Sequence, residues 1–370
     1  MSVYIQHIET LAPENVYSQD FAAERMQAWL DDDKQRRLAQ RVYRNSGIAT
    51  RHSVLADFGP ENKDPLFKTS PDGKLTAPGT GERNDRYARE ARRLAVEVSR
   101  RALAQCRGIA PKDVTHVITV TCTGFSNPGP DYYIVREAGL RPETQRYALG
   151  FMGCYAALPA LRMAWQFCRA DPSAVVMIVS IELCSLHLNF ENGIDSLLAN
   201  AIFADGAAAA IVSAREPPAG RSVYCLDNFA SALIPDGVKD MAWRIGNKGF
   251  EIALSTYVPD IIGGNIRSLI EPPLAESGLR VGDIGRWAIH PGGKAILDKI
   301  QSGLELRPEQ IQSSRDVLRN YGNMSSATIL FVLQELMQAQ PAGAADDRAC
   351  AVTCGPGLTI EMAVLRLMQG

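Results

Sequence analysis

The chain lacks the marks of several large function classes. The opening MSVYIQHIETLAPENVYSQ has no basic stretch followed by an apolar core, and no window approaches about 18 uninterrupted apolar residues. Neither export nor a membrane span is therefore expected, and a cytoplasmic location is. A charge imbalance is also missing: 39 Lys and Arg against 41 Asp and Glu leave a formal charge of -2. Such a balance gives no reason to invoke nucleic acid or a strongly charged membrane as partner. There is no P-loop and no convincing Gly-x-Gly-x-x-Gly behind a strand, which argues against nucleotide hydrolysis and nicotinamide chemistry. Eight cysteines occur without a Cys-x-x-Cys pair and without His at zinc-finger spacing, so they read as reduced thiols, with no metal and no resident cofactor expected.

What is present is a chain of 370 residues, 46% of them hydrophobic, enough for a large core. It repeats itself. Gly108 to Val117 (GIAPKDVTHV) is echoed by Gly278 to Trp287 (GLRVGDIGRW), each a helix end that turns into an apolar strand. Gly153-Cys154 before an apolar helix is echoed by Gly322-Asn323 before another, so Cys154 and Asn323 fall at equivalent points. The run Asp205 to Val212 is matched by Cys354 to Glu361, each a small-residue turn entering a strand. Three echoes in one order imply a duplication, with halves at 1–220, carrying the cysteine, and 221–370, carrying the histidine and asparagine. Asn84 is expected to cap a helix running to Cys106, with Tyr87, Ala91, Leu94 and Val98 as its apolar stripe. His116 to Thr121 and Ala174 to Ser180 read as buried strands. Alternating helices and strands argue for mixed α/β layers. Residues 58–83 and 339–347 are rich in Pro, Gly or Ala and read as surface excursions without regular structure.

Three short motifs carry the chemistry. Cys154, after Gly153 and before an alanine-rich helical stretch, sits where a helix N-terminus favours a thiolate, and a neighbouring imidazole would lower its pKa further. His290 ends a strand stopped by Pro291-Gly292-Gly293, which leaves the imidazole at the strand tip. Asn323 supplies an amide that donates without titrating, suited to a developing oxyanion and equally to capping a helix. Cys, His and Asn in that order can load an acyl group as a thioester. The same donors can hold the enolate left when a malonyl thioester loses CO2. Cys106, Cys168 and Cys225 read instead as small apolar core residues.

On Gly153-Cys154, Phe203-Ala204-Asp205-Gly206-Ala207-Ala208-Ala209, Ile289 to Gly293, Asp298, Tyr321 to Ala327 and Gly355 to Glu361, the sequence resembles the type III polyketide synthases, the chalcone and stilbene synthase family of the thiolase-like superfamily. The resemblance covers nearly the whole chain. It implies a five-layered αβαβα fold, a homodimer, and one site that condenses malonyl-CoA onto an acyl-CoA starter and then cyclises the product. It implies an acyl-carrying role for Cys154, a decarboxylation and oxyanion role for His290 and Asn323, and an aromatic gate at Phe203. Cys122, His187, Trp243, Ile252 and Ser325 match pocket positions, and Asn127 the loop passed to the partner's cavity. Arg41, with Arg37 and Arg44, matches the basic cluster that holds CoA phosphates. The plant pattern fails at Cys122 and His187 (threonines there), Trp243 (glycine), Ile252 (phenylalanine) and Cys354 (phenylalanine), which is closer to bacterial members. An alkylpyrone or alkylresorcinol built on a fatty acyl starter is the product expected. A malonyl-primed phloroglucinol or tetrahydroxynaphthalene is the alternative. Two competing readings are a single-round condensing enzyme related to ketoacyl synthase III and a silent thiolase-like subunit that binds acyl-CoA.

Overall fold

The computed structural model describes all residues except 31, 58–63, 70–74, 191–192, 236, 339–346 and 370. Its frame is a nine-stranded sheet in the order Arg286–Ile289, Asp347–Gly355, Thr359–Gln369, Ser222–Leu233, Tyr4–Leu11, Asp205–Ser213, Val175–Leu183, His116–Thr121, Gln145–Gly150. The sheet is continuous in name only. Its two parts join through a pairing of two residues on each side, Tyr4 with Cys225 and Ile5 with Tyr224.

The two parts share one topology. In the first, His116–Thr121 runs parallel to Val175–Leu183, which is antiparallel to Asp205–Ser213, which is antiparallel to Tyr4–Leu11. In the second, Arg286–Ile289, Asp347–Gly355, Thr359–Gln369 and Ser222–Leu233 repeat those relations in the same order. The duplication read from the sequence echoes is thus a duplication of strand order. It is imperfect at one edge. Gln145–Gly150, parallel to His116–Thr121, has no strand counterpart among the described residues, and the helix Gln312–Tyr321 occupies that stretch of the second half.

Helices Ala157–Ala170 and Thr328–Gln338 lie between the two parts of the sheet, and their side chains share one core with both inner faces. The first buries Ala157, Ala160 and Ala164, and the strand facing it is DGAAAAIVS, buried throughout. Small residues on both surfaces let helix and sheet approach closely, and the apolar area removed from water holds the layer in place. Outside the first part, Thr80–Gln105 packs Tyr87, Ala91, Leu94 and Val98 against Val175, Met177, Val179 and Ile181. Outside the second, Val258–Glu276 and Lys294–Leu304 cover Trp287, Ile289, Val352 and Val364. Five layers, αβαβα, result.

Two local expectations need correcting. The long helix starts at Thr80, not after Asn84, because Glu82 accepts the Gly79 N–H across the first turn. The Asn84 side chain is instead spent on both backbone groups of Phe125. In the stretch 58–83 the described residues also include a two-stranded pairing, Lys68–Thr69 with Leu75–Thr76, so it is not wholly irregular. Residues 58–63 and 70–74 of that stretch, like 339–346, lie outside the described residues. Among those residues, no helix is long and apolar enough to cross a membrane.

Candidate active site

The equivalent turns of the two halves meet at one cavity. Cys154 lies in the turn that precedes Ala157–Ala170. Gly153 before it has φ +89°, and a Cβ there would come within 2.5 Å of Pro356 Cδ, so the position needs glycine both for its backbone and for the close approach of the other half. Asn323 follows Gly322 on the opposite side. Its N–H donates to Ile202 O at 2.8 Å, and its C=O accepts from Ala204 N–H at 2.9 Å. Phe203, between those two partners, is thereby held beside Asn323 as a parallel β-bridge. His290 follows the strand Arg286–Ile289, and its N–H donates to Val352 O at 2.8 Å.

Cys154, His290 and Asn323 line this cavity together with Phe203, Cys122, Trp243, Ile252 and Ser325. Cys184, Cys354, Ile202, Met241 and Pro356, which the sequence reading did not assign to the pocket, complete much of the wall.

The Asn323 amide is oriented by its surroundings. Its Oδ1 accepts from Ser325 N–H at 2.8 Å and from Thr328 Oγ1 at 3.5 Å, which turns the NH2 group toward Gly292 O at 3.4 Å. Asn323 therefore caps the turn ahead of Thr328–Gln338 and keeps donor capacity on its other side. A Cβ at Gly292 would lie 3.8 Å from His290 Nε2, so the imidazole edge and the amide share this neighbourhood. The His290 ring is fully buried, and neither of its nitrogens has a partner among the described residues. Buried nitrogens without partners are rare in a folded chain and mark a place reserved for a ligand or water.

Burial sets the electrostatics. It pushes the Cys154 thiol up to about 11, against hydrogen bonds from Ser325 and Asn323 that pull it down. It pushes His290 down to about 3. Both shifts favour the neutral forms near pH 7, against the expected thiolate, although Cys154 as a whole residue is only half-buried. Cys122 and Cys184 are held well above the usual thiol range by burial and by nearby acidic groups, Glu182 foremost.

Glu182 is the residue that sequence reasoning missed most plainly. Its Oε2 accepts from Cys122 N–H at 2.9 Å and Thr123 Oγ1 at 3.0 Å, and its Oε1 accepts from the Ser326 hydroxyl. One fully buried carboxylate thus ties the strand end bearing Cys122 to the turn bearing Ser325, whose Oγ lies 3.2 Å from Cys122 Sγ. Its only signal in the sequence is an acid at the end of an otherwise apolar strand.

The other expected site residues are placed as follows. His187 lines a neighbouring cavity, not the one around Cys154, and both its nitrogens are used, Nε2 with Thr123 O at 2.8 Å and Nδ1 accepting from Phe250 N–H at 3.0 Å. Asn127 is exposed in the loop before Pro130–Glu137, away from this cavity. Arg41 lines a third cavity of about 330 Å3 that borders the Cys154 cavity, with Ile202, Leu254, Gly292 and Ile296 common to both linings. Lys294, unforeseen, lines the same cavity. Arg37 and Arg44 are exposed on the helix Asp33–Arg44 and do not line it.

Comparison with known proteins adds the following. Residues 3–217 match the N-terminal domain, and residues 226–369 the C-terminal domain, of chalcone and stilbene synthases. The chain is 33% identical over 361 residues to the alpha-pyrone synthesis polyketide synthase-like Pks18 of Mycobacterium tuberculosis, covering 96% of this chain and 89% of that protein. Among solved structures it is similar to PKS-I of the brown alga Ectocarpus siliculosus, with TM-score 0.91 and 30% identity over 100% of this chain and 99% of that one. It is also similar to 1,3,6,8-tetrahydroxynaphthalene synthase of Streptomyces coelicolor, with TM-score 0.87 and 30% identity over 100% of both chains.

Proposed function

Because the chain belongs to the chalcone and stilbene synthase family and is a type III polyketide synthase, we propose that Cys154 carries the acyl starter and that His290 and Asn323 bind the thioester carbonyl of malonyl-CoA. The observation that carries this reading is the pair of buried, unpartnered nitrogens of His290 on the wall of the Cys154 cavity.

Loading is a thioester exchange. The Cys154 sulfur attacks the starter carbonyl, its proton passes to the neutral imidazole, the CoA sulfur leaves and the proton follows it. The imidazolium is transient, since burial disfavours it at rest. In the next step the malonyl carboxylate departs as CO2, and its C–C bonding pair becomes an enolate whose oxygen accepts from His290 Nε2–H and the Asn323 amide. Preorganised neutral donors in a dry cavity stabilise such an oxyanion strongly, because they are oriented before the charge appears. The enolate carbon attacks the acyl-Cys154 carbonyl, the C–S bond breaks, and a β-ketoacyl-CoA forms with the cysteine freed for reloading. Arg41 at the outer opening supplies a cation for CoA phosphate. Two further assignments complete the proposal, a homodimer in which the loop at Asn127 reaches the partner's cavity, and a cytoplasmic location.

Closure of the extended chain to an alkylpyrone or alkylresorcinol is the product class we favour, supported by the likeness to an alpha-pyrone polyketide synthase. The tightness of the Cys154 cavity, about 40 Å3, favours a second reading, a malonyl-primed aromatic product. The test is incubation with malonyl-CoA and starters from acetyl-CoA through aromatic to long-chain acyl-CoAs, with products identified by mass spectrometry and Cys154→Ala as control. Pyrone, resorcinol or naphthalene masses that vanish in the variant support the mechanism. Condensed product from Cys154→Ala would refute it.

A further inference from the structure

Phe203 lines two cavities. One holds Cys154; the other, of about 50 Å3, lies between the helix Gln19–Trp29 and the strand Thr50–Ser53 and shares no other lining residue with the first. Ser18 caps that helix by accepting from Phe21 N–H at 3.2 Å, and the spacing of four sets Phe21, Arg25 and Trp29 on one face, over the cavity. The Tyr17 ring lies nearly parallel to Phe21, with 5.7 Å between centroids. The lining grades from exposed Arg25, through half-buried Tyr17, Phe21 and Trp29, to buried Ser53 and Ser185.

The chemistry of this lining points to a flat anion. Arg25 stands over the Phe21 ring at 5.1 Å and has no hydrogen bond or ion pair among the described residues. Arg51 is a second cation, and none of the lining residues is acidic. His52 donates from Nδ1 to Pro13 O at 2.7 Å, so in the neutral ring Nε2 is an acceptor, without a partner among the described residues. The space holds about four water molecules, the bulk of one six-membered ring with small substituents.

Two contacts lead from this lining to the reacting centre. Arg51 Nη1 donates to Phe203 O at 2.8 Å and to Asn200 O at 2.6 Å. The His52 ring stacks at 5.4 Å on Tyr321, which stands two residues before Asn323.

We propose that this cavity binds the anion of a 4-hydroxy-2-pyrone and that its occupancy slows turnover through Phe203 and Asn323. The 4-hydroxyl of such a ring is a vinylogous carboxylic acid, so the ring is flat and negatively charged near neutral pH. Its face stacks on Phe21 and Tyr17, and its charge meets Arg25. An anion that reaches Arg51 competes with the carbonyls of Phe203 and Asn200 for the guanidinium, which loosens the backbone that holds the Asn323 amide. The choice of a pyrone rests on the product reading above; the cations, the aromatic faces and the size of the cavity do not.

The probe is 4-hydroxy-6-methyl-2-pyrone, supplied to the protein and not made by it. Calorimetry should show binding that Arg25→Ala and Phe21→Ala each weaken at least about fivefold and that Arg25→Lys restores in part. Resorcinol, flat but neutral, should bind the unaltered protein at least about fivefold more weakly than the pyrone. In malonyl-CoA decarboxylation, saturating pyrone should lower kcat at least about threefold without relief by excess malonyl-CoA, and Arg25→Ala should keep its basal kcat and lose that inhibition. Binding unmoved by both variants, or inhibition abolished by excess malonyl-CoA, would put the pyrone in the Cys154 cavity and overturn the proposal. So would Arg25-dependent binding that leaves kcat unchanged. A protein that binds the probe through Arg25 and is slowed by it, yet makes no pyrone of its own, would support the site and count against the product reading alone.

Discussion

Alkylation of Cys154 as a function of pH tests the electrostatics of the site directly. A thiol pushed up to about 11 is ionised to about one part in a thousand at pH 8, whereas an ordinary thiol near 8.5 is ionised to about a quarter. The thiolate population is thus lower by about two hundredfold. A more basic thiolate is a better nucleophile, which returns about a factor of ten. The folded protein should therefore react with iodoacetamide about twentyfold more slowly at pH 8 than the same peptide does in denaturant. Its rate should climb about tenfold per pH unit from 7 to 10 without a plateau. His290, at about 3, should add no inflection between pH 5 and 8. The assay follows the Cys154 peptide by mass, which separates it from the other seven cysteines. A plateau at or below pH 7, or a rate at pH 7 above that of the unfolded peptide, would mean a resting ion pair with His290 and would refute the desolvation argument.

Three further outcomes follow from the same geometry. Asn323→Asp exchanges a fixed donor for an acceptor that repels an enolate, so CO2 release from malonyl-CoA should fall by about 10²–10³-fold; a loss under tenfold would leave His290 as the sole important donor. Glu182→Gln keeps the shape but turns one acceptor into a donor facing either the Cys122 N–H and the Thr123 hydroxyl or the Ser326 hydroxyl, and should cost about 1–3 kcal/mol in urea unfolding at unchanged m-value. Arg41→Ala should raise KM for malonyl-CoA severalfold while leaving that for malonyl-pantetheine, which lacks the nucleotide phosphates, unchanged; equal effects on both would remove Arg41 from phosphate binding.

Short-range patterns carried the alternation of helices and strands, the duplication and the candidacy of Cys154, His290 and Asn323, while the resemblance to the family implied the five layers and the shared site. A glycine turn before an apolar helix, a strand stopped by Pro291-Gly292-Gly293 and echoes at near-constant spacing are all local signals. The sequence carried the pocket less well. His187 and Trp243 lie on different segments, and only the folded hairpin decides that one stands in the wall and the other behind it. Arg41 and Arg44 sit three residues apart on one helix, close to one turn, yet only Arg41 lines the opening, a difference of rotation that composition does not encode. The charge state of Cys154 was the largest departure. Local sequence announces the helix that follows it but not the dryness contributed by Ile202, Met241 and Pro356 from distant segments.

The backbone bonds from Asn323 to Ile202 and Ala204 give the chemistry an unusual dependence on the whole molecule. On the proposed roles the nucleophile belongs to one half and both oxyanion donors to the other, and among the links between the halves is a pair of hydrogen bonds at the reacting centre itself. Neither half expressed alone would contain a partial enzyme. Turnover in this protein should therefore serve as a sensor of assembly: during denaturant titration it should vanish with the first loosening of the inter-half seam, ahead of the helical signal if the halves part before they melt.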